Sequence, residues 1–386
     1  MAEAVIRIYK DLELARELAE RAYEKVRKDY NLELMVKNTI EVYKEALSNF
    51  KALIIKFGSL GDVILSTAAI RAVRENLSRN YKITCLVGEE SKEPLLRCPY
   101  IDELMVVDLK GRDKGLKGTM GLGGILRKKG FDMVIDLQNN RKSHLLSFLS
   151  GSLRRYGYDN KKYGFLLNQR IKFDKSPIDP VTHQFRVLKM LGIDLKDNHL
   201  ELWPSEEDMR YIDELLGSQW LSEKQRLVGI NLSASSRWKT KAWPLAHIVK
   251  LCELLPRGDI RVVVTGTEAD LAAASELMNT LKNSKPINLC GKTTVNQLAC
   301  LIKKCSVYIS ADSSPIHISA AMDTPFVALF GPTDFRRHLP AVKKCVVIKK
   351  ELPCSPCYKP KCRDSKCMRE ITPEEVLEAV DKLLGN

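Results

Sequence analysis

Apolar runs alternate with amphipathic segments through most of the chain. Ala52 begins the continuous apolar stretch ALIIKF, which is typical of a buried parallel strand, and Val63–Asn76 has the spacing of an amphipathic helix. Three more strand-like runs follow at Lys82–Val87, Glu103–Asp108 and Met133–Leu137, with helical segments between them. This alternation predicts an α/β domain with a largely parallel sheet.

The same alternation repeats in the second half of the chain. Apolar runs predict strands there at Leu227–Leu232, Arg261–Thr265, Ile287–Leu289, Val307–Ser310 and Phe326–Phe330. Residues 198–206 have the character of a linker. We therefore expect two doubly wound domains, at residues 51–200 and 205–350.

The two ends of the chain depart from this pattern. Residues 1–50 predict two helices, because apolar side chains such as Leu12 and Val26 recur at helical spacing opposite a charged face. These helices form either a surface hairpin or a contact with a membrane or a partner. Residues 351–386 predict a Cys-rich segment and a terminal helix that Thr372 would cap.

The most informative stretch is the polar turn SADSSP between a strand and a helix. The strand ends at Ser310, and a helix is predicted to open at Pro315. The free N–H groups and the dipole of that helix favour an anion, and the hydroxyls of Ser313 and Ser314 suit a diphosphate. Asp312 would repel a phosphate, so it either accepts a hydrogen bond from a sugar hydroxyl or caps the helix, as Ser313 could.

A second polar turn, GSLGD, follows the first apolar strand and ends at Asp62. Its spacing differs from GxGxxG, so the dinucleotide fingerprint is absent. The carboxyl end of a parallel strand faces the ligand crevice, and glycines there let a substrate approach closely. Asp62 is therefore either a helix N-cap or a carboxylate presented to a substrate.

The loop SASSRWKTKAWP follows the first strand of the second domain. Its Ser235, Ser236 and Lys241 offer the hydroxyls and the ammonium that hold a diphosphate without a metal, although a solvated lysine loop is the alternative. Glu268 follows the next strand, where it would accept from ribose hydroxyls or stabilise a helix start.

Two further features leave alternatives open. His317, one turn into the helix after Pro315, either donates to a phosphate oxygen or is a structural histidine. Four cysteines near the end of the chain either bind a metal or stay as thiols or a labile disulfide: Cys354, Cys357, Cys362 and Cys367. Their single CxxC lacks the second knuckle that structural zinc sites usually have.

The composition of the chain narrows the classes of partner that it is expected to bind. The 386 residues contain 62 Lys and Arg against 48 Asp and Glu, so the net charge of +14 favours an acidic partner. Aromatic residues are only 7% of the chain and no zinc-finger or RNP motif is present, which disfavours nucleic acid. The sequence shows neither an apolar run of membrane-spanning length nor a secretion signal, so we expect a cytoplasmic protein.

Taken together, these motifs resemble the heptosyltransferase family, inverting glycosyltransferases that extend the inner core of lipopolysaccharide with ADP-heptose. The resemblance covers roughly Lys51–Leu384, and residues 1–50 have no counterpart in the family pattern. It is carried by IIKFGSLGDVILSTAAIRAVRENL, FDMVIDLQNNRKSHLLSFLSG, SRWKTKAWP, VVVTGTEAD, INLCGKTTVNQLACLI, ISADSSPIHISAAMDTPFVALFGPTD and CMREITPEEV.

The resemblance implies a GT-B fold, two Rossmann-like domains facing a central cleft, with Asp62 as the catalytic base. It further implies a set of donor-binding residues: Ser235, Ser236, Lys241, Glu268, Asp312, Ser313, Ser314 and His317. The implied partners are an ADP-sugar donor and a lipid-linked glycan acceptor, with peripheral contact at the cytoplasmic face of the inner membrane. No DxD-like carboxylate pair is placed to hold a metal, so we expect transfer without a metal or other cofactor. A nucleotide-sugar epimerase on the same fold and a non-catalytic nucleotide-binding protein are the alternatives.

Overall fold

A computed structural model of the chain describes residues 2–48, 50–77, 80–172, 174, 176–217, 225–232, 234, 237–256, 259–282 and 285–385. The chain divides into two compact units. Met1–Phe50 and Arg79–Lys82 form the first unit, and Lys51–Ser78 and Ile83–Asn386 form the second. Ser235 and Ser236 lie outside the described residues.

The first unit is helical, as expected, but has three helices where the sequence pattern predicted two. They are α1 (Ala2–Lys10), α2 (Leu12–Asp29) and α3 (Leu32–Ser48). Asp11 breaks the first predicted helix because its backbone is extended and its carboxylate accepts from the N–H of Leu14 at 3.0 Å. No side chain of α1 or α2, whose residues are all described, is buried.

The second unit begins with a six-stranded sheet in the order β3-β2-β1-β4-β5-β6. Its strands are β1 (Lys51–Ile55), β2 (Lys82–Gly88), β3 (Glu103–Val107), β4 (Met133–Asp136), β5 (Arg154–Asp159) and β6 (Gln169–Lys172). Its helices are α4 (Leu60–Ile64), α5 (Thr67–Asn76), α6 (Gly115–Lys129), α7 (Arg141–Leu149) and α8 (Pro180–Lys189). Neighbouring strands such as β1 and β4 pair in parallel.

A second six-stranded sheet follows in the order β12-β11-β10-β7-β8-β9. Its strands are β7 (Arg226–Asn231), β8 (Ile260–Thr265), β9 (Ile287–Asn288), β10 (Val307–Ala311), β11 (Phe326–Phe330) and β12 (Cys345–Lys349). Its helices are α9 (Glu206–Gly217), α10 (Leu245–Leu254), α11 (Leu271–Thr280), α12 (Val295–Lys304), α13 (Ser314–Ala321), α14 (Phe335–His338), α15 (Lys366–Arg369) and α16 (Pro373–Leu384).

The two sheets have the same doubly wound order, which confirms the prediction of two Rossmann-like halves. In each half the order reverses next to the first strand, between β1 and β4 and between β7 and β10. Ligands of such folds bind at this switch point, beyond the carboxyl ends of the strands. The boundaries expected at residues 200 and 205 stay predictions.

Each half has its own apolar core. Leu53 and Ile55 of β1 pack with Leu122 and Leu126 of α6 in the first half. In the second half, residues of β7 and β10 share a core with Val376 and Val380 of α16. The terminal helix therefore stabilises the second sheet.

The glycine-rich run Lys110–Gly124 is largely helical, because α6 covers Gly115–Lys129. Close packing accounts for one of these glycines, since a Cβ on Gly123 would lie 2.7 Å from side-chain carbons of Leu149. None of the helices in the described part of the chain combines the length and hydropathy needed to cross a membrane.

Candidate active site

Asp62 lies in α4, directly after β1 and at the switch point of the first sheet. Its side chain is exposed, and Ser59 Oγ donates to its carboxylate at 3.1 Å. The N-cap of α4 is Ser59, so the alternative that Asp62 caps this helix is wrong. Asp62 is thus a carboxylate presented at the carboxyl edge of the sheet.

Opposing charges around Asp62 decide its protonation. Desolvation raises the pKa of this carboxyl, but the Lys56 ammonium and the Ser59 hydroxyl lower it by more, so the net pKa lies below its ordinary value. Lys56 is buried, and its ammonium donates to the Leu137 carbonyl at 3.3 Å. The carboxylate is therefore ionised at neutral pH and can accept a proton.

Asp312 lies directly after β10, at the switch point of the second sheet. Its carboxylate is buried, 2.7 Å from Lys241 Nζ, and it accepts from Thr333 Oγ1 at 2.6 Å. Burial raises the pKa of Asp312, but the Lys241 charge and these hydrogen bonds lower it below its usual range. Asp312 is an ionised member of a buried ion pair rather than a helix cap.

Ser313 and Ser314 open helix α13, one residue earlier than the sequence pattern predicted. Ser313 is the N-cap residue, but its side chain makes no capping hydrogen bond. Its hydroxyl lies 3.1 Å from Ser310 Oγ and accepts from Asn231 Nδ2 at 3.2 Å. The first N–H groups of α13 consequently point toward the switch point without a side-chain cap.

Lys241 belongs to the loop that follows β7, which is the neighbour of β10 in the sheet. Its ammonium contacts Asp312 and lies 5.2 Å from the ring centre of Trp238. The contact of this lysine with a diphosphate stays a prediction, and its ion pair with Asp312 was not foreseen. The serines expected beside it lie outside the described residues.

Glu268 opens a single 3-10 turn after β8, the next strand of the sheet. Its side chain is exposed. Thr267 is the N-cap residue of this turn, and the Asp270 carboxylate accepts from its N–H at 2.7 Å. The ribose contact of Glu268 stays a prediction.

His317 lies in α13, where the second half of the unit meets α4 of the first half. Its ring is buried, and its Nδ1 has no hydrogen-bond partner among the described residues. Burial lowers the pKa of His317 to about 4 against the opposing charges of Asp312 and Asp62, so the imidazole is neutral. The contact of this buried, neutral ring with the donor stays a prediction.

Gly61 provides a test of this contact between the two halves. A Cβ on Gly61 would lie 2.5 Å from His317 Cδ2, so Gly61→Ala must displace α4, α13 or both. Because small displacements of reacting groups cost up to about 10²-fold, we expect kcat to fall at least about tenfold. Steady-state kinetics with both substrates measure this effect.

Gly124→Ala is the matched control, since a Cβ at that exposed helical position meets no atom within 4 Å. We expect Gly124→Ala to keep full activity and to gain about 0.5–1 kcal/mol of stability. Wild-type kcat in Gly61→Ala would show that the α4–α13 contact does not set the active geometry.

Three site residues were missed in the sequence interpretation: Lys56, Thr333 and His338. Lys56 interrupts an apolar strand just before the GSLGD turn, which was a detectable signal. Thr333 lies in the GPTD turn after β11 and contacts Asp312. His338 follows in α14, where burial lowers its pKa although the nearby Asp312 and Asp62 carboxylates raise it.

The four C-terminal cysteines are free thiols. In the described part of the chain, no group of three or more His, Cys, Asp or Glu side chains is arranged to hold a metal ion. Burial raises the pKa of Cys367, and the neighbouring Cys357 and Cys354 raise it further. Thiol function in this segment therefore stays open.

The arrangement combines an ionised carboxylate with an anion site across the contact between α4 and α13. Asp62 can accept a proton from a hydroxyl on one side. Lys241 and the start of α13 can stabilise negative charge on the other. Such a site can activate an alcohol and hold a diphosphate leaving group at once.

Comparison with known proteins agrees with this geometry. The profile of Glycosyltransferase family 9 (heptosyltransferase) matches residues 120–368. Lipooligosaccharide heptosyltransferase 2 of Campylobacter jejuni serotype O:2 is 31% identical over 335 residues, covering 85% of this chain and 96% of the relative. A crystal structure of a family 9 glycosyl transferase from Veillonella parvula has a TM-score of 0.78 at 25% identity, covering 87% of this chain and 97% of its own. The structure of E. coli ADP-heptose lps heptosyltransferase II has a TM-score of 0.68 at 25% identity, covering 87% and 98%.

Proposed function

The chain belongs to glycosyltransferase family 9, and we propose that it moves a heptose from ADP-heptose to a hydroxyl of a lipopolysaccharide core acceptor, with inversion at the anomeric carbon. The observation that carries this proposal is that Asp62 and the Lys241–Asp312 pair both lie close to His317. The donor is supported by the E. coli relative, whose name specifies ADP-heptose.

In this mechanism the acceptor hydroxyl attacks the anomeric carbon from the face opposite the diphosphate. Asp62 takes the hydroxyl proton as the C–O bond forms, and the bond to the ADP oxygen breaks. Negative charge then grows on the diphosphate, where Lys241 and the N–H groups at Ser313 and Ser314 stabilise it. The oxocarbenium character of the transition state makes both groups necessary.

The remaining donor contacts are proposed from the family resemblance. Glu268, at the end of β8, binds the ribose hydroxyls of the nucleotide. His317 lies beside Gly61 at the contact between α4 and α13, and we propose that it contacts the heptose together with Asp312. Ser235 and Ser236 share the diphosphate with Lys241.

We also propose that the transfer is independent of a metal ion. A lysine ammonium and a helix start supply the positive charge that a divalent cation supplies in other transferases. Activity that persists in excess EDTA is the expected result, whereas loss restored by Mg²⁺ or Mn²⁺ would contradict it.

The function is tested with purified protein, ADP-heptose and heptose-deficient lipopolysaccharide. We expect the mass of one heptose to be added to the acceptor and ADP to be released. Donor alone separates the alternatives, because an epimerase would return an isomerised ADP-sugar and a binding protein would return it unchanged.

A basic face of α6 supports contact with the membrane that carries the acceptor. Leu116 and Met120 are 71% and 51% exposed and share one helix face four residues apart. Lys117, Arg127 and Lys128 are exposed on the same helix. Apolar side chains flanked by cations suit the interface of an anionic bilayer.

We therefore expect the protein to sediment with vesicles containing phosphatidylglycerol and to be released by salt. The double change Leu116→Ser with Met120→Ser should lower the bound fraction about tenfold, because it removes two inserting side chains. Leu271→Ser, an exposed leucine on α11, is the control. Binding that survives the double change and disappears on deletion of residues 2–48 would assign the contact to the N-terminal helices.

A further inference from the structure

A buried carboxylate and a buried imidazole lie near the carboxyl edge of the first sheet, and the proposed mechanism uses neither group. Asp136 ends β4 and His144 lies in α7, and both are 0% exposed. His144 Nε2 lies 3.6 Å from Asp136 Oδ2. Among the described residues, neither atom has a hydrogen-bond partner.

The other polar atoms of this pair are engaged, which fixes where protons can be. Asp136 Oδ1 accepts from the backbone N–H of Gln138 at 2.9 Å and of Asn139 at 2.8 Å. His144 Nδ1 lies 2.7 Å from the Lys162 carbonyl oxygen, which can only accept, so Nδ1 carries a hydrogen.

A neutral imidazole would then turn the lone pair of Nε2 toward the carboxylate. Two buried acceptors would face each other with no hydrogen between them, which is costly in a low dielectric. A single proton between Oδ2 and Nε2 removes this conflict and leaves the pair with no net charge.

The pair anchors the loop that shapes the surroundings of Asp62. Leu137 accepts from the Lys56 ammonium, and Gln138 Oε1 accepts from the N–H of Gly58 at 3.2 Å. Asn139, whose N–H is one of the two that Asp136 accepts from, has a φ of 53°. Movement of this loop would displace both Lys56 and the GSLGD turn.

We propose that Asp136 and His144 share one proton and act as a positioning pair, which holds residues 137–140 so that Lys56 and Gly58 stay in place beside Asp62. The effect of this pair on catalysis rests on the function proposed above, whereas the shared proton itself does not depend on that function.

The groups that face this pair are few. Helix α7 contributes the His144 ring and the Ser143 hydroxyl. The loop contributes the N–H groups of Gln138 and Asn139, and the connection from β5 to β6 contributes the Lys162 carbonyl. Burial raises the pKa of the Asp136 carboxyl more than His144 and the hydrogen bonds lower it. The raised pKa of Asp136 favours the bound proton that the geometry requires.

The shared proton predicts a pH dependence of stability. Unfolded Asp and His titrate near pH ~3.9 and ~6.5, so above about pH 6.5 the unfolded chain holds neither proton while the folded pair holds one. Unfolding then releases a proton, and the unfolding constant should rise about tenfold per pH unit until the pair itself deprotonates.

Asp136→Asn is the decisive variant. Its amide oxygen can still accept from Gln138 and Asn139, and its amide nitrogen can donate to His144 Nε2 without titrating. We expect the ratio of wild-type to variant unfolding constants to rise about tenfold per pH unit above pH ~6.5, measured by urea denaturation. The same slope in both proteins would overturn the shared proton.

His144→Phe tests the positioning role, because it leaves the carboxylate buried without a partner. We expect kcat to fall up to about 10²-fold with the donor KM unchanged, while Asp136→Asn keeps nearly full kcat. Wild-type kcat in His144→Phe, or an equal loss in Asp136→Asn, would overturn this role. If His144→Phe does not fold, His144→Gln replaces it. The pH dependence of the unfolding constant above pH ~6.5 must then be lost in His144→Gln, as in Asp136→Asn. The pH dependence of the unfolding constant is measured without substrate, so its result does not depend on whether the proposed transfer reaction occurs.

Discussion

Replacing Asp62 with Asn is expected to reduce kcat by about 10²- to 10⁴-fold, the usual contribution of a positioned general base. The amide is nearly isosteric and can accept the hydrogen bond from Ser59, but it cannot take a proton from an acceptor hydroxyl. The proposed nucleotide contacts lie on the second sheet, so ADP affinity should stay within a few-fold. Single-turnover heptose transfer and calorimetric ADP titration measure the two quantities.

Glu253→Gln controls for the loss of one negative charge, since Glu253 is exposed on α10 and pairs with Lys250 at 3.6 Å. It should leave both quantities unchanged. Loss of ADP binding in Asp62→Asn would instead mean that Asp62 supports the structure of the cleft.

The lowered pKa of Asp62 also sets the direction of its pH effects. Desolvation raises this pKa, but Lys56 and Ser59 lower it by more, so the pKa is lower in the folded protein than in the unfolded chain. The ionised carboxylate therefore stabilises the fold above about pH 3.9, and this stability is lost as the pH falls through the lower folded pKa. An acid limb of kcat/KM from Asp62 should therefore lie below about pH 4, and a limb near neutrality must belong to another group.

Much of the fold was predictable because buried parallel strands leave a strong local signal. Runs such as ALIIKF and FVALF stand out as continuous apolar stretches between helical segments. The missed strands β5 and β6 carry RRYGYD and QRIK, whose polar side chains suit the outer part of a sheet and do not differ locally from loops. The glycines of α6 weaken its helical signal, and packing against Leu149 of α7 accounts for Gly123.

The location of the site was predictable for the same reason, since polar turns at the carboxyl ends of strands mark the crevice. The contacts between its members were not predictable from local pattern. Asp312 and Lys241 meet because β10 lies beside β7, an adjacency that only the sheet order gives. The closeness of Gly61 to His317 likewise depends on how the two halves pack.

The ion pair changes what is expected of Lys241. Lys241→Met should weaken ADP binding about 10²-fold, because one charge-assisted contact with the diphosphate is lost. It should also destabilise the fold by about 3 kcal/mol, because Asp312 is only 5% exposed and is left without its cation. The pKa of Asp312 should then rise, since burial raises it and the Lys241 charge no longer opposes that effect. Thermal unfolding and ADP titration measure the two losses.

Adding Asp312→Asn to Lys241→Met separates these two effects. An amide at position 312 can still accept from Thr333 and carries no charge, so the double variant should regain most of the lost thermal stability. It should not regain ADP affinity if the ammonium itself contacts the diphosphate. Recovery of both stability and ADP affinity would mean that Lys241 affects nucleotide binding only by neutralising Asp312. Removing the negative charge at position 312 would then be enough to restore the anion site.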